Sequence, residues 1–202
     1  MSNFKPSFLC LAFALSLVPF AAEAGPLTIV NVGAPAVNCV FNPSCTITVT
    51  DSIGNFTPPG DSGSARLQSR TYVGVAPTPG AGLGGYDYRV DLTSVQGAVA
   101  ANCVKALSVD FGPVVPLPYS PKGKFDVFVV TSGGLGSVGL ASAVQTGTKI
   151  VFTFSGGGVC PGATSYFFGL ASKSTMPKPG KASLAYTLPS VPGSTADRVP
   201  GP

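Results

Sequence analysis

Residues 86–96, YDYRVDLTSVQ, alternate strictly: Tyr86, Tyr88, Val90 and Leu92 fall on one side, and Asp87, Arg89, Asp91 and Thr93 on the other. Successive side chains of a strand point to opposite faces, so a period of two predicts a strand with one buried and one wet face. The pattern recurs in CVKALSVDF (103–111), where Cys103, Leu107, Val109 and Phe111 share a face away from Ser108 and Asp110. It recurs in TKIVFTF (148–154), with Ile150, Phe152 and Phe154 inward, and in CTITVT (45–50), with Ile47 and Val49 inward. KFDVFVVT (124–131) is apolar on both faces after Asp126, as a central strand covered twice should be. TSYFFGLAS (164–172) and ASLAYTL (182–188) complete the set, with weaker candidates at LTIVNV (27–32) and ARLQSRTYVGV (65–75). No stretch sustains the i, i+3, i+4 apolar spacing of a helix. About nine or ten short strands divided by Gly/Pro turns predict an all-β fold, an antiparallel β-sandwich of the jelly-roll or Ig-like kind.

The ends of the chain read differently. MSNFKPS carries one positive charge, Lys5, and precedes the apolar run FLCLAFALSLVPFAA and the Ala22-Glu23-Ala24 exit before Gly25. Charged start, short apolar middle and small-residue exit predict a signal peptide over residues 1–24, and hence secretion to the periplasm, cell surface or medium. The run is too short to span a bilayer comfortably, so no transmembrane segment is expected once the signal is removed. The tail PSVPGSTADRVPGP (189–202) has the composition of a disordered end, leaving 25–188 as the sandwich domain.

Cys10 leaves with the signal, and Cys39, Cys45, Cys103 and Cys160 remain. An even number in an exported chain points to disulfides, for which four cysteines allow three pairings. The turn-forming Asn42-Pro43-Ser44 favours Cys39–Cys45, and Cys103–Cys160 then follows by elimination. A C-x5-C spacing in a chain without histidine is a poor zinc site. Calcium would need aspartates converging from different loops. No metal is therefore expected.

Composition narrows the chemistry further. Only 10% of residues are charged, and the formal net charge of +4 comes from scattered lysines and arginines, so no nucleic-acid partner is expected. Without histidine there is no Ser-His-Asp or Cys-His arrangement, and the one glutamate, Glu23, sits in the signal. Past residue 24 no S-x-x-K motif occurs, and seven aspartates remain as acids, bases or ligands. Asp87 and Asp91 flank Arg89 on the outward face of their strand, where little would raise a carboxylate pKa, so they are expected to be exposed and non-catalytic. No tryptophan is present to stack on a sugar; Tyr72, Tyr86, Tyr88, Tyr119, Tyr166 and Tyr186 would have to serve.

Gly134, Gly136 and Gly139 in TSGGLGSVGLASAVQTG (131–147) have the G-x-G-x-x-G spacing of a dinucleotide loop. That loop needs a following helix and an acidic residue about 20 positions on. LASAVQTG is too short for the helix, and the only acid beyond Asp126 is Asp197. The glycines are expected to form a flexible loop between strands, with no cofactor.

Taken together, YDYRVDL, LSVDFGPVVPL, FDVFVVTSGGLGSVG and SYFFGLASK resemble small secreted bacterial proteins of the exosortase-associated, PEP-CTERM-like group, over roughly residues 27–188. Members typically end in Pro-Glu-Pro, an apolar helix and an arginine cluster, whereas VPGSTADRVPGP has neither helix nor cluster. The resemblance implies a β-sandwich body, a surface or extracellular-matrix role and no catalytic residues. The expected function is that of a non-enzymatic exported protein of surface, matrix or adhesion, with matrix polysaccharide or surface components as partners. A carbohydrate- or other ligand-binding module is the alternative, and an Asp-dependent hydrolase a distant third.

Overall fold

The computed structural model describes residues 24–97, 102–176, 178–188 and 195–201. The signal peptide expected over residues 1–24 lies, but for Ala24, outside the described residues. In chain order the elements are β1 (Gly25–Pro26), β2 (Ile29–Gly33), α1 (Ala34–Phe41), β3 (Thr50–Phe56), β4 (Ser62–Gly63), β5 (Ala65–Val73), β6 (Gly84–Asp91), β7 (Val95–Gln96) and β8 (Val104–Asp110). There follow β9 (Leu117–Ser120), β10 (Gly123–Phe125), β11 (Val127–Ser132), β12 (Leu140–Thr146), β13 (Lys149–Phe154), β14 (Phe167–Ser172), β15 (Lys178–Tyr186) and β16 (Thr195–Gly201). One six-stranded sheet runs β1-β12-β13-β8-β15-β16 and the other β2-β11-β14-β6-β5-β3, with β9–β10 and β4–β7 as two-stranded ribbons. Pairing is antiparallel except between β2 and β11, which are parallel, so the second sheet is mixed.

The alternating residues of both sheets meet in one core. Tyr86, Tyr88, Val90 and Leu92 are buried there with Leu107, Val109, Phe111, Ile150, Phe152 and Phe154, as their period of two requires. Aromatic rings stitch the layers together: Phe152 of the first sheet lies 4.9 Å from Phe168 of the second, and Tyr88 lies 6.3 Å from Phe152. Burying each such ring contributes about 1.5–3 kcal/mol.

A smaller core occupies the opposite face of the second sheet. Phe128 and Val130 of β11, Phe167 and Ala171 of β14, and Tyr72 of β5 point outward there and are covered by Val37, Val40 and Phe41 of α1 and by Leu117 and Tyr119 of β9. The doubly apolar run after Asp126 is thus a strand covered twice, with Val127 and Val129 in the main core and Phe128 and Val130 in the smaller one.

The first described residues close one edge of each sheet, β1 on β12 and β2 on β11. Thr28, at the crossover, donates from its amide and hydroxyl to Asp126 Oδ2 at 2.8 and 2.6 Å.

Several expectations are revised. Sixteen strands among the described residues replace nine or ten, because short edge strands and ribbons carry too little sequence for a visible alternation. Residues 46–49 are irregular, and the strand expected over 45–50 begins only at Thr50; Ile47 and Val49 still pack against the smaller core. A two-turn helix, α1, stands where no helical period was visible. Pro35 opens it and Val37, Val40 and Phe41 face the sheet, a spacing that eight residues cannot repeat. Within the tail, Thr195–Gly201 pairs with β15, and residues 189–194 and 202 lie outside the described residues.

Both disulfides, Cys39–Cys45 and Cys103–Cys160, are formed as expected. Two disulfides suggest an oxidising, non-cytoplasmic compartment. No helix among the described residues is long and apolar enough to cross a membrane.

Candidate functional site

The outward face of the second sheet carries rows of opposed polar side chains set by strand register. Asp51 of β3 lies opposite Arg70 of β5, Arg70 opposite Asp87 of β6, and Asp87 opposite Gly169 of β14. Two residues along, Ile53, Gln68 and Arg89 form the next row, followed by Asn55, Arg66 and Asp91. Opposite charges placed directly across an antiparallel pair stabilise the register.

Arg70 Nε donates to Asp51 Oδ1 at 2.9 Å, and Gln68 Nε2 donates to the same oxygen at 2.8 Å. The Arg70 guanidinium sits over the Phe167 ring, 4.1 Å from its centre, and that of Arg89 lies 5.0 Å away. The ring that would otherwise be an exposed platform is therefore already engaged by cations.

Asp87 is buried, with Tyr72 Oη donating to its Oδ1 at 2.7 Å. Burial pushes its pKa up to about 7; the Tyr72 hydrogen bond and the Arg70 charge oppose that rise, and Asp51 adds to it. Burial, with the neighbouring Asp87, also raises the Tyr72 phenol well above its ordinary value. Gly169 makes the arrangement sterically feasible. A Cβ there would come within 2.6 Å of the Phe128 ring and 2.7 Å of Asp87 Oδ1.

The expectation of an exposed Asp87-Arg89-Asp91 face is therefore corrected. Alternation assigns these residues to the right side of the strand, but that side is covered. Both aspartates are buried and Arg89 is half-buried. Asp91 differs chemically from Asp87. It accepts from Thr93 N at 3.0 Å and Thr93 Oγ1 at 2.6 Å and pairs with Arg89 at 3.5 Å and Arg66 at 3.7 Å. Burial pulls its pKa up, yet these hydrogen bonds and charges together hold it below the usual carboxylate value. It is a structural anion.

Beside this row opens a cleft of about 350 Å³. Its floor is Arg70, Asp87, Val130 and Phe167; α1 supplies Ala34, Val37 and Asn38, the segment after the helix Ile47 and Val49, and the glycine loop Gly133, Gly134 and Leu135. The first disulfide builds one wall, because Cys39–Cys45 ties the helix to the segment carrying Ile47 and Val49. Asn42 Oδ1 tightens the turn by accepting from Ser44 N at 3.0 Å and Ser44 Oγ at 2.8 Å.

The glycine loop leads into a strand, β12, and the G-x-G-x-x-G residues serve different ends. Gly134 borders the cleft. Gly136, at φ 119°, lies so close to the Ser165 carbonyl that no Cβ fits. The loop expected to be flexible is pinned beyond Gly136, where Ser137 N donates to Thr164 O at 3.0 Å and Tyr166 N to Val138 O at 2.9 Å.

The tyrosines offer no stacking platform: Tyr72, Tyr86, Tyr88 and Tyr119 are buried, and Tyr166 and Tyr186 pack partly buried against the main core. Among the described residues no three Asp, Glu, His or Cys side chains gather where they could hold a metal ion. Arg70 and Phe167 were missed from sequence, although both lie on strands that sequence reading located. No protein-family model, curated protein or solved structure matches the chain.

Proposed function

We propose that this chain is an exported, non-enzymatic ligand-binding module of the cell surface or extracellular matrix, built on a jelly-roll or Ig-like sandwich. The surface or matrix setting rests on the signal sequence, the disulfides and the PEP-CTERM-like resemblance. Ligand binding, the second of the two expected classes, is favoured by one observation. A cleft walled by a disulfide-stapled helix and a glycine loop converges on Arg70, Asp87 and Phe167. Its volume lies at the small end of the roughly 300–1,000 Å³ typical of small-molecule sites.

Hydrolysis is disfavoured by the company Asp87 keeps. A glycosidase-type mechanism needs a second carboxylate free to act as base or nucleophile. Asp51, in the same row, is held by Arg70 and Gln68, and Asp91 is held by Thr93 and two arginines.

The test is an NMR screen of the mature chain against a mixed fragment set of neutral sugars, organic cations and organic anions. Binding by one class should shift the amides of residues 34–38 and 133–135 and of Phe167. A full set that leaves those amides unmoved would overturn the binding reading.

A further inference from the structure

Arg70 is only partly used by the fold. Its Nε is committed to Asp51, whereas its two terminal nitrogens have no hydrogen-bond partner among the described residues. The side chain is 30% exposed and borders the cleft. A guanidinium held over a ring and anchored at one edge leaves its other donors pre-set for a planar, two-oxygen acceptor.

The surrounding charge favours an anion. Arg66, Arg70 and Arg89 share this face with Asp51, Asp87 and Asp91, and burial raises the Asp87 pKa to about 7, so the arginines prevail whenever Asp87 holds its proton. A cationic ligand would meet Arg70 at the floor, with Arg89 close by against the same Phe167 ring. A neutral sugar would find the Phe167 ring taken by guanidinium groups.

The walls, in contrast, are aliphatic: Val37, Ile47 and Val49 on one side and, on the loop, Leu135, which is 59% exposed. We infer that the cleft takes a small organic carboxylate with an apolar body, its headgroup on Arg70 and its body between Val37, Ile47, Val49 and Leu135. This assignment rests on the binding-module reading above.

Asp87 makes binding depend on pH. The groups facing it are Tyr72 and Arg70 from β5, Asp51 from β3, Tyr119 from β9 and, two residues along its own strand, Arg89. Protonated, Asp87 brings no competing charge and its O–H can donate to the incoming carboxylate; ionised, it repels the ligand. Affinity for a carboxylate therefore rises as pH falls from 8.5 towards 6.

Calorimetric titration of the mature chain with hexanoate, benzoate, hexylamine, hexanol, acetate and an oligouronate tests this. Hexanoate and benzoate should bind, more tightly at pH 6 than at pH 8.5, and the amine and alcohol of equal length should not. Arg70→Met should weaken hexanoate by about tenfold or more, as loss of a hydrogen bond to a charged group does, with Arg70→Lys intermediate. If Arg70→Met fails to fold, Leu135→Ser decides, since it alters an exposed loop residue and should weaken hexanoate while leaving acetate unchanged. Hexylamine or hexanol binding as tightly as hexanoate would overturn the carboxylate assignment and leave the binding-module reading intact. Preference for the oligouronate over hexanoate would overturn the apolar body. Silence from every ligand class in the fragment screen as well as here would remove both.

Discussion

Replacing Asp87 by asparagine should flatten the dependence of stability on pH. A carboxyl whose folded pKa is raised to about 7 keeps its proton in the native state while the unfolded chain has already lost it. Between roughly pH 4 and pH 7 the native state therefore binds the extra proton, and stability must fall as pH rises through that window. Three pH units between the unfolded and folded values correspond to about 4 kcal/mol, a large share of the 5–15 kcal/mol that holds a typical domain together. The chain has no histidine, so few other side chains titrate between pH 5 and 8 to mask the effect. Asparagine keeps the shape and still offers an oxygen to the Tyr72 hydroxyl, but it cannot ionise. Wild type should thus lose stability steadily from pH 4.5 to 8, while Asp87→Asn stays nearly level and becomes the more stable of the two above pH 7. Urea denaturation of both proteins across that range, followed by two spectroscopic probes to establish two-state behaviour, gives the comparison. A wild-type curve that is flat or rising, or a variant that falls in parallel with it, would refute the placement of Asp87 in a dry, carboxylate-disfavouring site.

The two glycines at the ends of the Gly136–Gly139 interval should respond unequally. Gly136→Ala should cost more than about 2 kcal/mol through positive φ and collision with the Ser165 backbone, whereas Gly139→Ala, with only ordinary contacts around its Cβ, should stay within about 0.5 kcal/mol in thermal or urea unfolding. Non-reducing peptide mapping should return Cys39–Cys45 and Cys103–Cys160. Opening the bridge of sequence separation 57 by paired Cys→Ala substitution should cost about 4 kcal/mol, against about 2 kcal/mol for the bridge of separation 6.

The parts of the fold legible in sequence are those where burial and strand period coincide. YDYRVDL shows its inner face because Tyr86, Tyr88 and Val90 all enter one core, and the doubly apolar run after Asp126 marked a strand covered on both sides. The invisible parts are short or covered by distant chain. Helix α1 has room for a single set of inward residues, Val37, Val40 and Phe41, so no period can build up. The parallel β2–β11 pair joins residues about a hundred positions apart, and a strand's own pattern does not encode its neighbour's direction.

The candidate site was only half legible for the same reason. A period of two says which side of β6 carries Asp87, but what lies over that side is decided elsewhere, by residues 34–49 and 133–135. A signal was nonetheless available. If Phe128 and Val130 face a second covering layer, their neighbours on the same face must share it, and FFGLAS places Phe167 and Ala171 there while the QSRTY stretch of β5 places Tyr72. An apolar patch running from β11 across β14 to β5 cannot end without passing Asp87, which stands between β14 and β5. The cover thins just where Arg70, Asp87 and Arg89 begin, so polar groups there are dry enough to interact strongly while a cleft still reaches them. That boundary, rather than either the closed core or the wet surface, is where a sheet of this kind can hold a ligand.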